Sequence, residues 1–511
     1  MAAAPGAGRG SPVSERRLTY TFGPLERRGI LGPARGGQVA IVAAGMVAAV
    51  VALDRSPSAG GALLAIVLVS AALGASFAPL GGRTAQEWAP VVATFAMRRV
   101  RRRTGFVSGA PVAGFHGLPG PAHGRMALRG PAPALPDALR GVRIVETPYR
   151  DRPIGALSER AGRRLTAVLA CRVLAFSLLD PAAQERRLAR WGLVLSTASS
   201  TAVSRLQWIE RTAPAPGDDL ARWLAAERDP AVPLRGTPMI ESYLELIGTT
   251  AQVTQEHEIL IAVQVDGRRV RERGSGATAA ALLRETERVA RGLQAAEVSV
   301  LGALSAGQLS RTMRTAFDPY ARAELAAWET ADPERDGLGE PAAWPLGARE
   351  AWDHYQTDGA LHATYWIGAW PRVEVSPLFM DALLGQSSAV RTIAVTFEPL
   401  PTARSTREIE AAITQDRADR ELRARFGQSE TARQRQAADA TMRREAELAA
   451  GHGEVRLSGF ITVSGRDGDD LRRACTEVLE HAARARLELH RLYGQQADAF
   501  TFTLPLGRGL R

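Results

Sequence analysis

The residues of this chain that most readily do chemistry are its eight histidines and two cysteines, and their spacing points away from a catalytic or metal centre. His116, His123, His257, His354, His362, His452, His481 and His490 are scattered. No two of them have the HExxH spacing that puts a pair of imidazoles on one helical face for zinc. Cys171 and Cys475 are far apart and read as buried, reduced thiols rather than a disulfide framework or a zinc site. There is no G-x-S-x-G nucleophile elbow. The chain contains no Lys and no Asn, and a Walker A loop needs its Lys to reach nucleotide phosphates, so no P-loop ATPase is encoded. Glu256, His257 and Glu258 cluster at a strand entrance, but alternation sends neighbours to opposite faces, so they read as a surface group. Asp353–His354 and the Asp467, Asp469, Asp470 group read as helix starts, where carboxylates meet free amides. No catalytic, cofactor-binding or metal-binding residue is assigned, no cofactor is expected, and the chain is not expected to be an enzyme.

With no chemistry of its own to position, the chain is organised around Gly36–Leu80. Residues 36–53 form an 18-residue run with one polar side chain, Gln38, and residues 60–80 form a 21-residue run with no charge. At ~1.5 Å per residue these span about 27 and 31 Å, close to the ~30 Å hydrocarbon core of a bilayer. The short link between them allows only antiparallel neighbours, so a two-helix transmembrane hairpin is expected. Residues 1–35 carry six Arg against two Glu, and residues 81–103 six Arg against one Glu. The turn carries only Asp54 and Arg55, which cancel. The positive-inside bias then puts both termini in the cytoplasm, in a two-span protein of the cell membrane. Those flanks hold almost all of the net charge of +10, so the high pI belongs to the membrane boundary and no strong direct nucleic-acid binding is expected.

After the hairpin, residues 81–103 read as a basic amphipathic juxtamembrane helix. Thr84 and Glu87 make a capping box, Pro90 is a place to kink, and Trp88, Phe95, Arg98, Arg99, Arg101, Arg102 and Arg103 are the expected membrane-interface residues. Residues 104–137 hold a Gly/Pro-rich linker with one short strand at Phe106–Ser108. The fold class is α+β, with one cytoplasmic domain over 138–330, a break over 331–347 and a second domain over 348–511. Strands are expected at Val142–Glu146, Val203–Glu210, Glu258–Val265, Glu297–Leu301, Leu361–Trp370, Thr392–Glu398, Val455–Val463 and Phe500–Leu504. Helices are expected from an Asp180–Pro181 start, near Leu220–Glu227 and Pro238–Gln252, over Thr278–Gln294 and Ser305–Thr315, and in a last helix over Leu471–Leu492. A long charged segment over 404–449 holds ten Arg against nine acidic residues and reads as a solvated helix or a hairpin bent at Gly427.

Several stretches resemble a family of conjugative type IV secretion components from high-GC Gram-positive bacteria. In these, a two-span, PrgI-like hairpin precedes a region similar to the amino-terminal, non-ATPase part of a VirB-type secretion ATPase. The stretches are EWAP at Glu87–Pro90, LQWIERT at Leu206–Thr212, SYLELI at Ser242–Ile247, Ala363–Val375, Arg391–Pro401, RLSGFITVS at Arg456–Ser464 and the closing TLPLGRGL. The resemblance implies a membrane-anchored scaffold for conjugative DNA transfer. Its partners would be a separately encoded secretion ATPase, a multi-span channel subunit and membrane lipids, with a homo-oligomer left open. The alternative is a membrane component of a type VII secretion system, which can share the paired amino-terminal spans and cytoplasmic domain. A second alternative is a membrane-tethered enzyme or DNA-processing protein.

Overall fold

The structure is a computed structural model. It describes residues 36–108, 135–214, 255–325, 338–425, 432–449 and 453–509, together with 238–239 and 241–242, and excepting 78, 81–82, 150–151, 173–175, 273, 275, 323, 372 and 386. The basic segment 1–35, most of the Gly/Pro linker, the helix expected near 220–227, all but four residues of the helix expected over 238–252, and Gly427 lie outside the described residues.

Gly36–Arg55 (α1) and Ala59–Phe77 (α2) pack side by side. Gly45 permits the close approach, because a Cβ there would fall onto the Cβ of Ala72. Among the described residues only Ala59–Ser76 is long and apolar enough to cross a membrane. Of the expected pair of spans, the structure thus gives one candidate span with a helical neighbour. Ala85–Val100 (α3) follows directly, its Thr84 N–H donating to Glu87 Oε2 at 3.0 Å.

Among the described residues, thirteen strands then form one sheet in which every pairing is antiparallel. They are Gly105–Val107 (β1), Arg143–Thr147 (β2), Ile154–Glu159 (β3), Arg164–Arg172 (β4), Val203–Pro214 (β5), Gln255–Asp266 (β6), Ser299–Ala303 (β7), Gly347–Glu350 (β8), Tyr355–Gln356 (β9), Leu361–Ala369 (β10), Val390–Pro399 (β11), Val455–Gly465 (β12) and Glu488–Arg491 (β13). Helices Pro181–Ser199 (α4), Ala277–Ala295 (α5), Ala306–Phe317 (α6), Asp381–Leu384 (α7), Thr402–Arg425 (α8), Ala432–Ala449 (α9), Gly468–Arg484 (α10) and Gln496–Phe500 (α11) connect them. The main path runs β1-β8-β9-β10-β12-β11-β5-β6-β4-β3-β2, with β13 on β10 and β7 on β4.

The order of elements is stated twice. The set β2, β3, β4, α4, β5, β6, α5, β7, α6 is repeated as β8, β9, β10, α7, β11, β12, α10, β13, α11 with the same neighbours. The two halves meet at β5 and β11, where Leu206 faces Phe397 and Thr212 faces Arg391. The likeness extends to single residues. Helices α5 and α10 bury Leu282, Glu285, Thr286, Val289 and Leu293 in one half, and Leu471, Ala474, Cys475, Val478 and Ala482 at the same spacing in the other. Both helices end on a non-glycine residue at positive φ, Glu297 at 62° and Arg486 at 58°. Each stop is closed by the same pair of bonds, Glu297 N–H to Gln294 O with Val298 N–H to Leu293 O, and Arg486 N–H to Ala483 O with Leu487 N–H to Ala482 O. The described residues of 143–317 and 347–500 therefore each contribute one copy of this topology to a shared sheet. The carboxy-terminal turns tie the copies together: Gln207 holds Phe502 O and the Gly507 N–H, Gln264 donates to Leu506 O, and Arg508 reaches Glu159 at 2.6 Å.

Three expected elements differ. The helix expected over 471–492 stops at Arg484, because the left-handed Arg486 turns the chain into β13. Phe500–Leu504 is not a strand but the end of α11 and the turns after it, which bury Phe500, Leu504 and Leu506. The charged 404–449 segment is two helices, α8 and α9, packed on each other. Two helices packed on each other favour the hairpin over a single long helix.

Candidate functional site

The most elaborated polar and aromatic assembly lies where α3 meets the second half of the sheet. It is built on Gly494, which follows β13 at φ 67°. Its N–H donates to Trp352 O at 2.6 Å and its carbonyl accepts from Arg98 Nη2 at 2.9 Å. A Cβ there would meet the Trp352 ring at 2.6 Å and Val91 at 3.1 Å, so glycine is needed for both reasons. Trp352, in the β8–β9 turn, and Tyr493 form the floor. Trp88 stacks on Trp352 with centroids 5.9 Å apart and lies 6.2 Å from Tyr493. Phe95 meets the edge of Trp352 at 5.2 Å.

Charge completes the seat. Arg98 reaches Glu350 Oε2 and Asp498 Oδ2, both at 3.2 Å. Glu350 is buried and also accepts the Ala497 N–H at 3.1 Å. Burial pushes its carboxyl above the usual range, and the Arg98 guanidinium opposes that shift. Just beyond α3, Thr104 O accepts the Glu350 N–H at 2.7 Å and β1 pairs with β8. Helix, turn and strand therefore stitch the segment that follows α2 onto the sheet edge. Such an assembly can hold α3 at a fixed place on the sheet.

Of the seven expected membrane-interface residues, the structure engages Trp88, Phe95 and Arg98 with protein. The aromatic face of α3 finds a partner in Trp352 and Tyr493 that sequence spacing alone could not show. Arg99, Arg101, Arg102 and Arg103 are exposed, beside exposed Val92, Met97 and Val100. The seat residues Glu350, Trp352, Tyr493, Gly494 and Asp498 were not legible from spacing. The one signal is the pairing of Trp and Tyr with glycine and acid in short loops.

The remaining chemical residues hold structural posts. His362 is fully buried, with Nδ1 2.8 Å from Ser464 Oγ and Nε2 2.9 Å from Thr357 Oγ1, and burial pushes it down to about 4. Burial pushes the Cys171 thiol up to about 12 and raises Cys475. Asp467 caps α10, accepting from Asp469 and Asp470 N–H as expected of a helix start. Asp353 and His354 bond to each other at 2.8 Å in the β8–β9 turn, not at a helix start. At the entrance of β6, His257 Nδ1 lies 2.7 Å from Glu210 Oε1, while Glu258 meets Arg211 at 3.2 Å. Among the described residues no group of three or more His, Cys, Asp or Glu is placed to hold a metal ion.

Comparison with known families adds one further observation. Residues 248–367 match the family "Putative type VII ESX secretion system translocon, EccE". The match runs from the approach to β6 through α5, β7 and α6 to β10. No curated protein matches the chain. The type VII match overturns the type IV reading, with its conjugative ATPase, VirB-like and PrgI-like likenesses. The physical reason is plain in the fold. LQWIERT, Arg391–Pro401 and RLSGFITVS are β5, β11 and β12, the central strands of an antiparallel sheet, and their apolar alternation reports burial rather than ancestry.

Proposed function

We propose that this chain is a membrane-anchored structural subunit of a type VII secretion translocon, the alternative that the sequence alone had left second. The match over residues 248–367 is the observation that carries the reading. The candidate span Ala59–Ser76 supports a place in the membrane. Both hairpin helices turn large apolar side chains outward, Met46, Val47 and Val50 from α1 and Leu64, Ile66 and Val67 from α2, which favours lipid around the pair. Both helices cross the bilayer in this reading, with the termini and the sheet in the cytoplasm as the flanking arginines direct. Exposed Arg99, Arg101, Arg102 and Arg103 meet anionic headgroups at the inner leaflet.

The role is scaffolding rather than catalysis. Its partners are other subunits of the translocon, and the α3 seat holds the cytoplasmic sheet at a fixed place relative to the membrane helices. Affinity purification of the tagged chain in mild detergent, followed by mass spectrometry, tests this. Recovery of type VII secretion subunits in stoichiometric amount is expected. Recovery of the chain with none of them would overturn the assignment.

A further inference from the structure

The seat takes only one side of α3. Trp88, Val91, Phe95 and Arg98 recur at helical spacing and all turn toward the sheet. Ala89, Val92, Ala93, Ala96, Met97 and Val100 fall on the far side, in an arc about 140° wide at ~100° per residue. All six are exposed, Val92 by 48%, Met97 by 53% and Val100 by 83%. No charged residue of α3 lies within that arc.

Two helices packed on the sheet do the opposite on their outer sides. Helix α5 exposes Arg284, Arg288 and Arg291, and α10 exposes Arg472, Arg473, Glu480 and Arg484. Those outer sides are built for water. A helix that is apolar on both sides is built to be covered on both, and the sheet covers only one side of α3.

Position and charge indicate what covers the other. Helix α2 ends at Phe77 and α3 begins at Ala85, so in the reading above α3 starts where the candidate span leaves the bilayer. At the far end of the stripe stand exposed Arg99, Arg101, Arg102 and Arg103. Arg102, at φ 54°, ends the helix, and the Arg103 N–H closes the turn on Arg98 O at 2.8 Å, which gathers these guanidiniums at one end. An apolar stripe beside a cluster of arginines suits a helix lying in the interface of an anionic bilayer.

We propose that α3 lies in the plane of the inner leaflet, with the stripe from Ala89 to Val100 sunk at the boundary of headgroups and acyl chains. Its arginines sit among anionic headgroups, and the sheet hangs from its opposite side, one helix diameter (~10 Å) below the boundary. Trp88 and Phe95, expected at lipid from their spacing, serve the sheet, and the opposite side of the same helix serves lipid. Helix α3 is then held from two sides and depends on both. This rests on the membrane-anchored reading and adds to it the face that meets lipid.

The test uses the full chain in nanodiscs of phosphatidylcholine and phosphatidylglycerol, with a nitroxide attached to Val92→Cys, Met97→Cys or Val100→Cys. Cys171 and Cys475 are buried, so the wild-type chain supplies the labelling background. Val67→Cys on α2 is the lipid reference and Arg472→Cys on α10 the water reference, both at exposed positions. Power saturation compares collisions with oxygen, which concentrates among acyl chains, and with a water-soluble nickel chelate. Oxygen should exceed nickel at the three α3 sites as it does at Val67, with the order reversed at Arg472. Nickel above oxygen at the α3 sites, with Val67 still in lipid, would overturn the proposal and leave the anchor standing. Few collisions with either reagent would mean that protein, such as a second copy of the chain, covers the stripe, and would overturn it equally. Nickel above oxygen at Val67 would remove the membrane anchor itself, and this proposal with it.

Discussion

Trp352→Ala should release α3 from the sheet while leaving the sheet folded. Trp352 holds the helix through two ring contacts, with Trp88 at 5.9 Å and Phe95 at 5.2 Å. Aromatic pairs contribute about 0.5–1.5 kcal/mol each beyond buried area, so the two give about 1–3 kcal/mol. Trp352 is 36% exposed, so truncation also removes part of a large apolar burial, on the order of another 1 kcal/mol. A loss of roughly 2–4 kcal/mol corresponds to about a thirtyfold to a thousandfold rise in the opening of the seat. At sixteen residues with Pro90 inside, α3 is close to the length of about 12–15 residues below which an isolated helix is marginal in water, so an undocked α3 should fray. Hydrogen exchange read by mass spectrometry checks this peptide by peptide. Faster exchange across Ala85–Val100 is expected, with β10, β12 and α10 protected as in the wild type. Unchanged protection of α3 would refute the seat as its anchor, and an equal loss in β12 would show that Trp352 supports the whole half instead.

Gly494→Ala should reproduce that release and lower the unfolding midpoint further, since the new Cβ meets the Trp352 ring at 2.6 Å and the backbone stands at φ 67°. Acid should weaken the fold through His362, whose folded value is held at about 4 against 6.5 when free. Its contribution is whole above pH 6.5 and is lost as pH falls from 6.5 through about 4, an effect of up to roughly 3 kcal/mol. Urea midpoints at pH 7 and 4.5 measure it, and His362→Gln should flatten the difference. With Cys placed at Ser58 or Ser108, an impermeant thiol reagent on intact cells should label the first and spare the second; the reverse pattern would invert the proposed topology. Replacing residues 402–449 with a short flexible linker should leave the sheet folded and in the membrane, because a surface excursion shortens at modest entropic cost. If that hairpin binds a partner, the same variant loses translocon subunits on purification, and full retention would remove it from the interface.

The strands and caps were legible because local physics decides them. Asp180 before Pro181, and Ser305 three residues before Gln308, start α4 and α6 by satisfying free amides, and alternation in Val203–Glu210 and Val455–Val463 marks two central strands. The repeat was not legible, although it is the main fact of the fold. Its halves share spacing rather than residue type: Glu285 and Thr286 occupy α5 positions that Ala474 and Cys475 occupy in α10. Helix α4 has nineteen residues where α7 has four, so no fixed period survives in the sequence. The same looseness lets the halves differ. A buried position tolerates any side chain of fitting size and satisfied polarity, so one half could acquire the aromatic seat for α3 and the other the buried Arg211. Alternation sees only that Trp352 and Arg211 sit in or near strands. What each of them touches is set by elements distant in sequence, Trp88 and Phe95 for the one and Glu258 and Thr312 for the other.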